Sequence, residues 1–268
     1  MHRKFLKMSL MLIASAIMTA CTEEVGDTQD SEAVGAMAEV TIAEADTTSA
    51  PETEPPTEPL EAPSGYTSAR SRRLNVEAVM QKPELPTGCE VTALTSLLNY
   101  CGFDIDKVEL CDEFMPIVSD ASATFDEAYI GDPRAENGFG CNAPVIVKTA
   151  ESYLESVNAD WGVLDLTGTD FQELFYQIDK GRPVVVWASM GLRDVKMRLR
   201  GVTEDGDEAW FAELEHCMVL TGYDKGEGIV YAADPLKGNV EYSLERFESV
   251  YEQLGKQAVI IYEEEQPE

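Results

Sequence analysis

From Thr22 to Ala69 the chain carries twelve acidic residues, five prolines and no lysine or arginine. Such a stretch cannot bury enough apolar surface to offset the entropy of ordering it. It therefore reads as a disordered, charge-extended tether over residues 21–72. Hydrophobic runs begin near Leu74 and continue to Tyr262. The fold has to be built from about 190 residues, 73–263, a normal size for one domain with a substantial core. An acidic tail, 264–268, follows it, and no internal repeat is visible.

Residues 1–20 have the pattern of a secretion signal. His2, Arg3, Lys4 and Lys7 make a polar, basic start, and the apolar run from Leu10 to Met18 is broken only by Ser15. That run is too short for a comfortable membrane span and ends in small residues. Ile17-Met18-Thr19-Ala20-Cys21 resembles a bacterial lipobox, which makes Cys21 the expected lipidation site. The expected location is the extracytoplasmic side of the cell membrane, with the membrane contacted through the N-terminal lipid only. Removing the signal takes away three cations and no acid, so the formal charge of −30 becomes −33. Such a balance argues against nucleic acid as a partner and against a polybasic lipid-docking surface.

Scarcity narrows the chemistry. The chain has two histidines, and His2 lies in the signal, so His216 is the single imidazole of the mature protein. A site built on two or three histidines is excluded. Of six cysteines, Cys89, Cys101, Cys111, Cys141 and Cys217 remain beside Cys21. Five cannot all pair within one chain, so at least one thiol is free. No Cys-x-x-Cys spacing occurs, and neither a metal nor an organic cofactor is expected.

A nucleophilic cysteine works as its thiolate, which a helix N-terminus and a nearby imidazolium favour. Val91, Leu94, Leu97, Leu98 and Cys101 recur at helical spacing, so a helix is predicted over 90–101, with Gly102 as its C-terminal stop. Pro86-Thr87-Gly88 ahead of it is turn chemistry. Cys89 alone among the five cysteines follows a turn and opens an amphipathic helix, where unpaired backbone N–H groups can also bind an oxyanion. Further helices are expected over 143–157, with Asn142 as cap, and over 170–180. Strands are expected over 183–188, 217–223, 228–233 and 258–262. Helices first and strands later imply an α+β fold.

His216 starts a strand, and residues 224–228 form a hairpin loop to the next. Pairing Tyr223 near Ile229 puts Asp234 opposite Met218, a diagonal neighbour of His216 at roughly 7–8 Å by backbone. Asp224 lies eight residues up the strand, about 26 Å away, which removes it as a rival. Asp234 is thus the candidate that orients the imidazole and stabilises its charged form.

Gln81-Lys-Pro-Glu-Leu-Pro-Thr-Gly-Cys-Glu90 and the helix to Gly102 resemble the signature of bacterial cysteine-peptidase family 39-like proteins, relatives of the bacteriocin-leader peptidases in the papain-like superfamily. Gly131-Asp-Pro133, Gly138-Phe-Gly140, Gly181-Arg-Pro-Val-Val-Val-Trp187, His216-Cys-Met-Val-Leu-Thr-Gly-Tyr-Asp224 and Asp234-Pro235 extend the resemblance in the same order. It implies a papain-like α+β fold and hydrolysis of peptide or protein substrates. It also implies Cys89 as nucleophile, His216 as base then acid, Asp234 as orienter, and Gln81 as an oxyanion-hole amide. Cys141 and Cys217 match no role and read as packing. A catalytically weak module that binds peptides or wall components is the alternative reading, because fold membership does not establish activity.

Overall fold

The computed structural model describes residues 60–119 and 122–264. The signal, Cys21 and most of the expected tether lie outside the described residues. In chain order the elements are β1 (Ser71–Arg73), α1 (Cys89–Tyr100), α2 (Lys107–Glu113), β2 (Ile117–Val118), β3 (Tyr129–Ile130), α3 (Ala143–Ser156), β4 (Trp161–Asp165) and α4 (Phe175–Asp179). There follow β5 (Val184–Ser189), β6 (Met197–Val202), β7 (Glu208–Ala212), β8 (Glu215–Asp224), β9 (Ile229–Asp234), β10 (Gly238–Ser243), α5 (Leu244–Gln253) and β11 (Ala258–Glu263). Seven strands form one antiparallel sheet, ordered β10-β9-β8-β5-β11-β4, with β1 added onto β8. Among the described residues no helix is long and apolar enough to cross a membrane.

Residues Cys89 to Leu98 of α1 are all buried, so this helix sits inside the core rather than along its surface. Its C-terminus closes on Gly102 at φ 96°, with Phe103 N–H donating to Leu98 O at 3.1 Å in the manner of a Schellman stop. All six residues of β5 are buried, as a strand covered on both faces requires. Helix α3 starts where expected, but its cap differs. The Asn142 side chain turns to Asp126 and Gln257, and Gln257 Oε1 accepts the Ala143 N–H at 2.8 Å. The helix expected over 170–180 is regular only from Phe175. Residues 170–174 wind as turns in which Glu173 N–H donates to Asp170 O and Leu174 N–H to Phe171 O. The β6–β7 hairpin, β4, β10 and α5 add to the expected elements; α5 buries Phe247, Val250 and Tyr251 on one face, and its N-cap Ser243 accepts the Arg246 N–H. All five cysteines among the described residues are free thiols.

The β8–β9 register places Asp234 as the hairpin argument requires, by a different route. Tyr223 pairs with Val230 rather than Ile229, and a bulge between Leu220 and Gly222 then shifts the pairing by one, so that Val219 faces Ala233. Carried one residue past the last bonded pair, that register sets Asp234 opposite Met218, and its carboxylate reaches His216.

The ordered domain begins ahead of residue 73, where composition placed its start. Ser71–Arg73 pairs with the far end of β8, Ser71 facing Asp224 and Arg73 facing Gly222. Asp179 accepts hydrogen bonds from Tyr66 Oη, from Ala69 N–H at 3.0 Å and from Tyr223 Oη at 2.6 Å. Tyr66 also meets Tyr176 edge-on, with ring centroids 5.0 Å apart. The acidic, proline-rich composition hid this strap, whose few anchoring residues are scattered singly.

A Cβ at Gly222 would collide with the Arg72 carbonyl oxygen. Gly222→Ala is therefore expected to detach β1, lowering stability by about 1–3 kcal/mol. Thermal unfolding measures the loss, and limited trypsin digestion should cut selectively at residues 70–73 in the variant while the wild type resists.

Candidate active site

The loop 81–88 carries Cys89 to the head of α1, and it is fixed from several sides. Gln81 N–H donates to Pro235 O at 2.9 Å, which ties the loop to the end of β9. The Gln81 side-chain amide donates to Pro86 O at 2.6 Å. Thr87 O accepts from Tyr129 Oη at 2.8 Å, and Thr87 Oγ1 donates to Ala135 O at 2.9 Å. The glycine pairs noted in the sequence serve this loop. A Cβ at Gly138 would overlap Thr87 Oγ1 and Tyr129 Oη, and one at Gly140 would stand 2.6 Å from Glu90 Oε1. Residues 131–141 can close over the head of α1 only because those positions lack side chains.

His216 and Asp234 are buried at 2% and 0% exposure. His216 Nε2 and Asp234 Oδ1 lie 2.7 Å apart. Asp234 Oδ1 also accepts from Leu236 N–H at 2.8 Å, and Oδ2 from Tyr242 Oη at 2.6 Å. Burial alone would raise this carboxyl. The hydrogen bonds and charge of His216, with those from Tyr242 and Leu236, outweigh it and hold the group down at about 2. Asp224, the rejected rival, instead accepts from Gly226 and Glu227 N–H in the hairpin turn.

Gln81, Cys89 and His216 line one cleft of about 510 Å³, walled by Phe139, Phe211 and Leu236. Asp234 stands behind His216. The thiol of Cys89 donates to Glu90 Oε2 at 3.2 Å. Burial pushes this thiol well above its ordinary value, and the neighbouring Glu90 and Glu215 push it further. Glu90 Oε1 accepts the Cys141 N–H at 2.8 Å. Burial raises Glu90 to about 7 against its hydrogen bonds, and burial followed by the charge of Glu90 raises Glu215 well above a normal carboxylic acid. Cys141 and Cys217 are buried beside this pair, their thiols pushed up first by desolvation.

Sequence reasoning missed Glu90, Glu215 and Tyr242. An acid in the first turn of a helix reads as a solvent-facing partner of the helix dipole, and the two glutamates show their meaning only by flanking Cys89 and His216 in the chain. The donor atoms of Cys89, Glu90 and Glu215 lie within 4.8 Å of one another. Glu90, however, already uses both oxygens on the Cys141 N–H and the Cys89 thiol.

Acid should weaken the fold through Asp234. Its carboxyl is depressed in the folded state, so its stabilising contribution is complete above its unfolded value near 4 and is lost as pH falls toward about 2. Thermal midpoints measured from pH 5 to pH 2 should fall less steeply in Asp234→Asn than in the wild type.

The sequence profile of the Peptidase_C39 like family matches residues 73–259. The uncharacterized protein YvpB of Bacillus subtilis (strain 168) is 32% identical over 188 residues, covering 68% of this chain and 72% of that protein. A crystal structure from Bacillus anthracis, described as a C39-like peptidase, superposes with a TM-score of 0.63 at 30% identity, covering 73% of this chain and 99% of the other. The fold is accordingly the α+β, papain-like architecture of C39-like peptidases.

Proposed function

The chain belongs to the Peptidase_C39 like family, and on that premise we propose that it is a thiol hydrolase of peptide or amide bonds using Cys89, His216 and Asp234. The observation that carries this reading is the buried His216–Asp234 pair at 2.7 Å, in a cleft shared with a thiol at a helix N-terminus. Asp234 occupies Nε2, which leaves Nδ1 to take the thiol proton. Cys89 first exchanges its bond to Glu90 for one to His216. The thiolate then attacks the substrate carbonyl carbon, and the oxyanion rests on the Cys89 N–H and the second N–H of the Gln81 amide. The imidazolium passes its proton to the leaving nitrogen as the C–N bond breaks. Water, deprotonated by His216, resolves the thioester and releases the acid and the thiol.

The same proposal places the protein outside the cell, lipid-anchored through Cys21 with residues 1–20 removed, at the cell membrane. The segment after Cys21 serves as tether, and peptides or proteins are the substrates. The competing reading, a module that binds peptides without turnover, draws on the bond from the thiol to Glu90.

A peptide library incubated with the full-length mature protein and read by mass spectrometry separates the two. Cys89→Ala and His216→Ala should each reduce cleavage by at least about 10²–10⁴-fold. Asp234→Asn should lose on the order of 10²-fold or more, and Asp224→Asn less than about twofold. No cleavage by the wild type, or equal losses in the two aspartate variants, defeats the hydrolase. For the anchor, Cys21→Ser should move the protein from the membrane fraction to the medium; unchanged fractionation would remove the lipid.

A further inference from the structure

Beside Cys89 lie two carboxyl groups that the proposed reaction does not use. Glu90 is fully buried and belongs to the first turn of α1; Glu215 opens β8 and is half-buried, with its Oε1 out of reach of solvent. Their charges act on each other and on the thiol. The titratable groups facing them are Cys89 from the same helix, Cys141 from the loop before α3, Cys217 from β8 and Tyr129 from β3. None of these four is a cation. His216, the next residue of β8, and Lys82 line the same cleft as Cys89 and Glu215, and the His216 ring is engaged by Asp234. Two carboxylates within 4.8 Å of each other and of the thiol, with no ion pair to either among the described residues, cannot both stay ionised at ordinary cost.

The hydrogen bonds describe what holds the pair. Glu90 Oε1 takes the Cys141 N–H and Oε2 takes the Cys89 thiol, while Glu215 Oε1 is buried with no partner. Both carboxylates crowd the same side of Gly140, since a Cβ there would lie 2.6 Å from Glu90 Oε1 and 3.0 Å from Glu215 Oε2. We propose that Glu90 and Glu215 share one proton and act as positioning residues, holding Cys89 as a parked, neutral thiol turned to Glu90 until the proton count of the pair releases it. The net charge left on the pair opposes formation of a thiolate alongside it. A second proton removes that opposition, so the restraint on the sulfur is stronger in alkaline than in mildly acidic solution. That is the reverse of an isolated thiol, whose reactivity simply grows with pH.

The consequence for turnover rests on Cys89 being the nucleophile, but the test does not. Alkylation by iodoacetamide, followed at the Cys89 peptide by mass spectrometry on the folded full-length chain, reads the thiol without any substrate. Glu215→Gln, and separately Glu90→Gln, whose amide oxygen can still accept the Cys141 N–H, should speed alkylation at pH 7.5 by on the order of tenfold. Each should also move the midpoint of its pH dependence down by about one unit. An unchanged or slower rate, with thermal unfolding like that of the wild type, overturns the proposal; a slower rate in Glu90→Gln alone would make Glu90 a base instead. The wild type supplies an independent arm. Its infrared spectrum at pH 7 should retain the carbonyl stretch of a protonated carboxylic acid, lost in Glu215→Gln, and absence of that band in the wild type refutes proton sharing.

Discussion

The first ten residues of α1 are buried without exception, and the surface that covers them is chiefly β8. This contact determines what can happen at the cleft. It drives the head of a helix, with its unpaired N–H groups, against the start of the strand that carries the single imidazole of the described domain. Strand β8 is itself held by β5, β9 and β1. Neither partner in the contact can shift without disturbing most of the sheet. The sulfur and the imidazole are thus brought to a common cleft by burial of Val91, Leu94, Leu97 and Leu98, none of which touches the chemistry.

The same burial has a cost. It desolvates Glu90 and Glu215, and each becomes a weaker acid than it would be in water. At the end of β9, Asp234 is buried and yet a stronger acid, because an imidazole, a tyrosine hydroxyl and a backbone N–H all point at it. Two kinds of carboxyl environment therefore adjoin one cleft, one rich in donors and one poor. Proton affinity follows donor supply more closely than depth.

Much of this was legible in the chain. The helical spacing around Leu94 and Leu98, the turn before Cys89 and the solitary His216 carry strong local signals, and the resemblance in motif order points to the α+β papain-like fold. Asp234 was found by counting residues across a hairpin, although the count succeeded because a one-residue offset at Tyr223 was cancelled by a bulge near Thr221. Two kinds of information were hidden. Bonds that depend on distant partners, such as Gln257 capping α3, leave no local trace. Acidic residues read as solvated until their neighbours are known, which is why the acidic composition conceals the strap before residue 73 and why neither Glu90 nor Glu215 stands out beside Cys89 in the chain.

Strand β1 joins β8 at Gly222 to Asp224, the end remote from His216. With a rise of about 3.3 Å per residue, some 20–26 Å of strand separates the two. Any mechanical pull transmitted along the N-terminal segment enters the domain there, and is shared by the β1 ladder and by Asp179 with its two tyrosines. The mouth of the cleft lies outside that load path. A chain hauled from its N-terminal side would shed its strap before the residues lining the cleft felt the tension.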